Sequence, residues 1–213
     1  MTDVVIIGAG GHGIVVADIL LAAAKAGQGL RPVAFLDDDP ALHGTSPLGV
    51  PVLGGLSELA RVPHGGVAVA LGGNRLRAAV CSRLLSEGEH LVLARHPHAI
   101  VGSEVEIGPG TTLCAGVVVN PRTRIGAGVI LNTGCSVDHD CAVGDYAHVA
   151  PGARLAGGVR LGEGTLVGLA AALLPGRSAG AWSTVGAGAV VTRDVPAGAT
   201  VVGVPAVLLT REP

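Results

Sequence analysis

The stretch SVDHDCAVGD, residues 136–145, sets His139 between Asp138 and Asp140. An imidazole with a carboxylate in local reach is the usual general base for taking a proton from an amine or hydroxyl nucleophile. Read more plainly, Asp138 is a corner residue and His139 a solvated turn residue. A second stretch with chemistry in it is VVIIGAGGHG, residues 4–13, where Gly8, Gly10 and Gly13 follow four β-branched apolar residues. This is the G-x-G-x-x-G spacing of a turn whose backbone N–H groups approach a pyrophosphate at a helix start. Asp37, 24 residues after Gly13, stands where a nicotinamide enzyme keeps its ribose-binding carboxylate.

Two kinds of element position these groups. Over the first hundred residues, short apolar runs at 4–7, 33–36, 67–71 and 91–94 read as parallel strands buried on both faces. Helical stretches at 13–25, 55–61 and 75–87 lie between them, which predicts a small βαβαβ unit, half of a doubly wound sheet. From residue 101 a period of six takes over, with aliphatic residues from Val101, Ile107, Leu113 and Val119 through to Val185 and Val191 and one alanine, Ala179. Sixteen hexads keep step without an insertion. Such a repeat predicts a parallel β-helix, three hexads to a coil and about five coils.

Eighteen residues then separate neighbours in adjacent coils, so His139 stacks on Pro121 below and Gly157 above. The residue after each aliphatic is often Gly, Asn or Asp, as at Gly108, Gly126 and Gly162, which predicts positive φ there. Small residues such as Thr111, Thr123, Cys135 and Cys141 recur four places after the aliphatic. The expected division is residues 1–96, a βαβαβ unit, and 97–213, a β-helix closed by PAGATVVGVPA as strand and cap. His96 and His98 mark the junction.

Composition fits a ladder of medium-sized aliphatics: Phe35, Tyr146 and Trp182 are the only aromatics, against 35 glycines. No run of about 18 apolar residues exists and no signal-peptide pattern opens the chain, so a cytoplasmic protein without a membrane segment is expected. A net charge of −2 argues against nucleic acid as a partner. The four cysteines, without C-x-x-C or zinc spacing, are expected to be reduced and structural.

GAGGHG, FLDDD, ALGGNRLR, HPHAIV, residues 126–164 and VTRDVPAGATVVGVPA together span nearly the whole chain. In these segments it resembles the bacterial sugar-nucleotide N-acetyltransferases of the bacillosamine and perosamine pathways, a group that includes the sialic acid O-acetyltransferases. The resemblance implies a left-handed hexapeptide β-helix, usually a homotrimer with sites between subunits. It implies acetyl transfer from acetyl-CoA to the 4-amino group of a nucleotide-linked sugar, for bacterial surface glycans. By the same resemblance His139 is the general base and Asp140 the acid residue that supports it. His148, Gly157, Leu169 and Ala187 fall at acetyl-CoA positions, and Gly10, Gly11, His12, Asp37, Asp38 and Gly72 at the sugar nucleotide. Val207 stands where the family carries Lys or Arg, leaving Arg193 and Arg211 as the cations available to a CoA phosphate.

Three other chemistries compete. Sialic acid-type O-acetylation would use the same His139. A nicotinamide oxidoreductase lacks the second half of its sheet here. Zinc catalysis needs three protein ligands, whereas His139 and His148, nine residues apart, are the only histidines after residue 100. No metal is therefore expected.

Overall fold

The computed structural model describes residues 1–209. The chain divides into two compact units, the first ending at Pro97 and the second beginning at His98. In the first, β1 (Thr2–Ile7), α1 (Gly11–Lys25), β2 (Leu30–Leu36), β3 (Gly66–Val69) and α2 (Asn74–Ser86) follow in order. β1 lies between β2 and β3, both parallel to it. Val4 to Ile7 are buried on both faces, as a covered parallel strand requires.

Residues 91–94 depart from expectation. Leu91 makes one isolated parallel bridge to Val67, held by Val67 N–H to the His90 carbonyl and Val92 N–H to the Val67 carbonyl, both 2.9 Å. Leu91 and Val92 are buried without forming a ladder, and the chain becomes a strand only at Ala94–Arg95. Residues Leu56–Arg61 form a 3-10 helix.

The second unit is a parallel β-solenoid of two-residue strands, from Ile100–Val101 to Val190–Val191. Each aliphatic of the hexad pattern is the second residue of its strand. Three sheets form: one through Val119, Val137, Leu155 and Leu173, one through Ile125, Val143 and Leu161, and one through Leu113, Leu131, Val149 and Val167. Neighbouring strands pair residue i with i+18. Burying one Val or Leu rung contributes roughly 1.5–3 kcal/mol, as an upper figure against an extended unfolded chain. At the inner corners Thr111 Oγ1 donates to the Gly126 carbonyl and Thr165 Oγ1 to the Gly180 carbonyl, at 2.8 and 3.0 Å.

The corner glycines serve a different purpose from the one their type predicted. Positive φ falls three residues after the aliphatic, at Gly128, Gly134, Asp140, Tyr146 and Trp182 among others, and not at the residue directly after it. Gly108, Gly126 and Gly162 are glycine because the next coil's backbone runs against them: a Cβ on Gly162 would lie 2.4 Å from the Ala181 nitrogen. After Val191 the step shortens, Ala179 pairing with Val195 and Val185 with Val201. The closing segment is thus a further parallel strand, Thr200–Val202, on which Val207–Leu208 folds back antiparallel. Among the described residues no helix is long and apolar enough to cross a membrane.

Candidate functional site

In the first unit the chemistry gathers at the carboxyl ends of the strands. Gly8 takes φ +99° there, and a Cβ on Gly13 would sit 2.1 Å from the Gly8 carbonyl oxygen, so only glycine lets α1 start so close. Gly10 and Gly73 cap α1 and α2 without a side-chain hydrogen bond, so no cap side chain covers either helix start. A Cβ on Gly10, Gly11 or Gly72 would meet nothing within 4 Å, so the backbone at these three positions faces open space.

Asp37 and Asp38 shape this end of the sheet. One Asp37 oxygen accepts from Ala9 N–H at 2.7 Å and the other from Asp39 N–H at 2.9 Å, tying the glycine turn to β2. Asp38 accepts from Leu56 N–H at 2.8 Å. A depression of about 170 Å³ lies between Gly8, Asp37, Asp38 and Leu71. Arg77 is fully buried and donates to the Leu71 and Gly72 carbonyls and to Asn74 Oδ1. His12 is pushed down to about pKa 4, first by burial and then by the Arg77 charge, and its Nε2 is buried without a partner. A neutral imidazole with a buried, unpartnered Nε2 is a setting for a hydrogen-bonding ligand.

In the solenoid, His139, Asp140 and Gly157 come together as the 18-residue step predicts. His139 Nδ1–H donates to Asp140 Oδ2 at 2.7 Å. That bond puts the proton on Nδ1 and leaves Nε2 with a free lone pair. A Cβ on Gly157 would lie 2.8 Å from both Cε1 and Nε2 of the ring, so the missing side chain makes room for the imidazole. Asp138 accepts His139 N–H at 2.8 Å and Asn120 Nδ2–H at 2.7 Å, and these bonds hold its carboxyl below the usual range. Arg122 grips Asp140 with both arms of its guanidinium at 2.7 and 2.8 Å, which with the His139 bond holds that carboxyl far below the usual range. A depression of about 610 Å³ borders Asp140, Arg122, Arg124 and Arg160.

The other expected positions lie elsewhere on the same chain. His148 begins a strand of another sheet, where Asn132 Nδ2–H donates to its Nε2 at 3.2 Å. Asn132 is fixed the right way round because its oxygen accepts Thr133 N–H at 2.8 Å. Leu169, 55% exposed, and the exposed Ala187 sit one above the other on the corner after that sheet, not on the His139 corner. Val207 is exposed beside a depression of about 290 Å³ that Arg193 also lines. Arg211 lies outside the described residues. Cys81, Cys114, Cys135 and Cys141 are buried and unpaired. Asn120, Arg122, Asn132 and Arg77 were not anticipated. For Asn120 and Arg122 the signal was present, because the 18-residue step that stacked His139 on Pro121 also stacks Asp138 on Asn120 and Asp140 on Arg122.

Comparison with known proteins decides among the chemistries. Residues 3–84 match the model of the PglD N-terminal domain. The GDP-perosamine N-acetyltransferase of Escherichia coli O157:H7 is 33% identical over 150 residues, which cover 68% of each chain. The chain belongs to the sugar-nucleotide N-acetyltransferases. The crystal structure of PerB from Caulobacter crescentus, in complex with CoA and GDP-perosamine, agrees with this acyltransferase over 98% of this chain and 97% of that one. Its identity is 41% and its TM-score 0.90. The acetyltransferase domain of PglB from Neisseria gonorrhoeae FA1090, in complex with acetyl coenzyme A, is 35% identical over 97% of this chain and 98% of that one, with a TM-score of 0.89. The G-x-G-x-x-G turn of the acetyltransferase lies within the part that matches the PglD N-terminal domain.

Proposed function

We propose that this acetyltransferase transfers the acetyl group of acetyl-CoA to the 4-amino group of a nucleotide-linked amino sugar, with His139 as general base. The observation that carries this is the 2.7 Å bond from His139 Nδ1–H to Asp140, with Nε2 set against a glycine. A sugar ammonium must lose a proton before its nitrogen attacks, and His139 Nε2 is the acceptor. Asp140 orients the ring and stabilises the imidazolium that forms. Attack is direct within a ternary complex. The thiols, buried and with Cys114 and Cys135 pushed up to about 11 and 12 by burial, have no part in it.

The diphosphate of the acceptor fits the Gly10, Gly11, His12 and Gly72 backbone, where the glycines border open space and α1 starts without a side-chain cap. Asp37 and Asp38 shape the nucleoside end. His148, Gly157, Leu169 and Ala187 take acetyl-CoA. Because Leu169 and Ala187 occupy a different corner from His139, a homotrimer in which one chain's His139 corner faces the next chain's acetyl-CoA corner suits the arrangement. The acceptor named for the Escherichia coli relative, GDP-perosamine, makes a GDP-linked amino sugar the first to try.

The test is thiol release from acetyl-CoA over a panel of nucleotide-linked 4-amino sugars and their hydroxyl counterparts, with wild type and His139→Asn. The amino sugars turn over and the variant loses at least about a hundredfold in kcat. Preference for the hydroxyl series, or full activity in His139→Asn, sinks the proposal.

A further inference from the structure

The coil beneath the base is built to hold it. Residues Asn120, Pro121, Arg122 and Thr123 each bond the segment Asp138–Cys141 one coil up. Asn120 Nδ2–H donates to Asp138 Oδ1 at 2.7 Å, and the Pro121 carbonyl accepts Asp140 N–H at 3.2 Å. Thr123 Oγ1 donates to the Asp138 carbonyl at 2.8 Å and accepts Cys141 N–H at 3.2 Å. Arg122 Nε–H and Nη2–H take the two Asp140 oxygens at 2.7 and 2.8 Å. Asp140 and Arg122 both occupy the left-handed region, at φ +58°, so the two side chains leave equivalent corners of successive coils.

The Asp140 oxygen that receives Arg122 Nη2–H is the one that receives His139 Nδ1–H. A lone aspartate next in sequence to its histidine, with both side chains about half exposed, is free to rotate between rotamers, and such a pair is weakly held in water. A planar guanidinium bonded to both oxygens removes that freedom, because only one carboxylate plane satisfies the fork.

We infer that Arg122 is a positioning residue for catalysis: its two-point grip on Asp140 fixes the carboxylate that orients His139, so that Nε2 points at the acceptor amine. The inference rests on His139 being the base. Arg122 touches no reacting atom and acts through Asp140. Lysine in its place supplies charge without the fork.

The test compares wild type, Arg122→Gln, Arg122→Lys, Asp140→Asn and the Arg122→Gln/Asp140→Asn double variant in the thiol-release assay, with thermal melts alongside. Arg122 is exposed, so the melts stay close to wild type. Arg122→Gln lowers kcat about tenfold with KM for both substrates within about twofold, and Arg122→Lys recovers only part of the loss. The double variant is no slower than Asp140→Asn, because both changes remove one device. Wild-type kcat in Arg122→Gln, or a double variant whose losses multiply, overturns the inference.

Nitrogen-15 NMR of the His139 ring separates this failure from that of the underlying reading. The Nδ1–H tautomer holds in wild type and becomes mixed in Arg122→Gln, whatever the activity of His139→Asn. An unchanged tautomer in Arg122→Gln counts against Arg122 alone.

Discussion

Replacing Gly157 by alanine separates catalysis from stability in one atom. The added Cβ would lie 2.8 Å from His139 Cε1 and Nε2 and 3.4 Å from Nδ1. Carbon contacts become comfortable at about 3.5 Å, so the ring must retreat by roughly 0.7 Å or rotate aside. It can do so cheaply, since the His139 side chain is 57% exposed. Gly157 lies outside the left-handed region, so alanine also suits its backbone. Stability should therefore hold or rise by a few tenths of a kcal/mol, from the reduced freedom of the unfolded chain. Catalysis should not hold, because the retreat stretches the 2.7 Å bond to Asp140 and moves Nε2. A displacement near 1 Å costs up to about a hundredfold, so kcat is expected to fall between about tenfold and a hundredfold. The assay is thiol release at saturating acetyl-CoA and acceptor, beside a thermal melt. Full kcat with an unchanged melt refutes the reasoning. So does a loss confined to KM for acetyl-CoA, which would make Gly157 a cofactor contact without influence on the base.

Other predictions concern the frame. Gly162→Ala, which drives a Cβ to 2.4 Å from the Ala181 backbone, should destabilise the solenoid by about 1–3 kcal/mol. Gly134→Ala, at φ +65° with open space around it, should cost about 1 kcal/mol, and a reversed order in urea titrations would contradict the close-approach argument. His12 has a folded pKa of about 4, so the unfolded chain binds more protons between pH 6.5 and 4 and stability falls as the pH drops through that window. The loss is at most about 3 kcal/mol, and melts of wild type and His12→Gln at pH 7 and 4 should show the steeper decline in wild type. The four buried cysteines, their thiols pushed up by burial, should resist a thiol reagent in the native protein and react together on unfolding.

By itself the sequence determined the solenoid and most of its register. A six-residue repeat turns spatial neighbours into arithmetic, so Val137 on Val119 and His139 under Gly157 could be read from residue numbers. The glycine turn and the βαβ order were legible for a similar reason, since a strand running into a helix through Gly8 and Gly13 admits few other backbones. Only the tertiary structure decided which glycines turn the corner and which let two coils touch, because steric clearance depends on the neighbouring backbone and not on residue type. It also showed that Leu91 makes one isolated bridge, that a strand begins only at Ala94–Arg95 and that the closing coil is two residues short after Val191. That the Asp37 oxygens accept from Ala9 and Asp39 N–H is a matter of side-chain direction that spacing does not carry. The grip of Arg122 on Asp140 lies between the two cases. The 18-residue step put the residues in reach, but rotamers and opposite charge closed the contact on the atom that also holds His139.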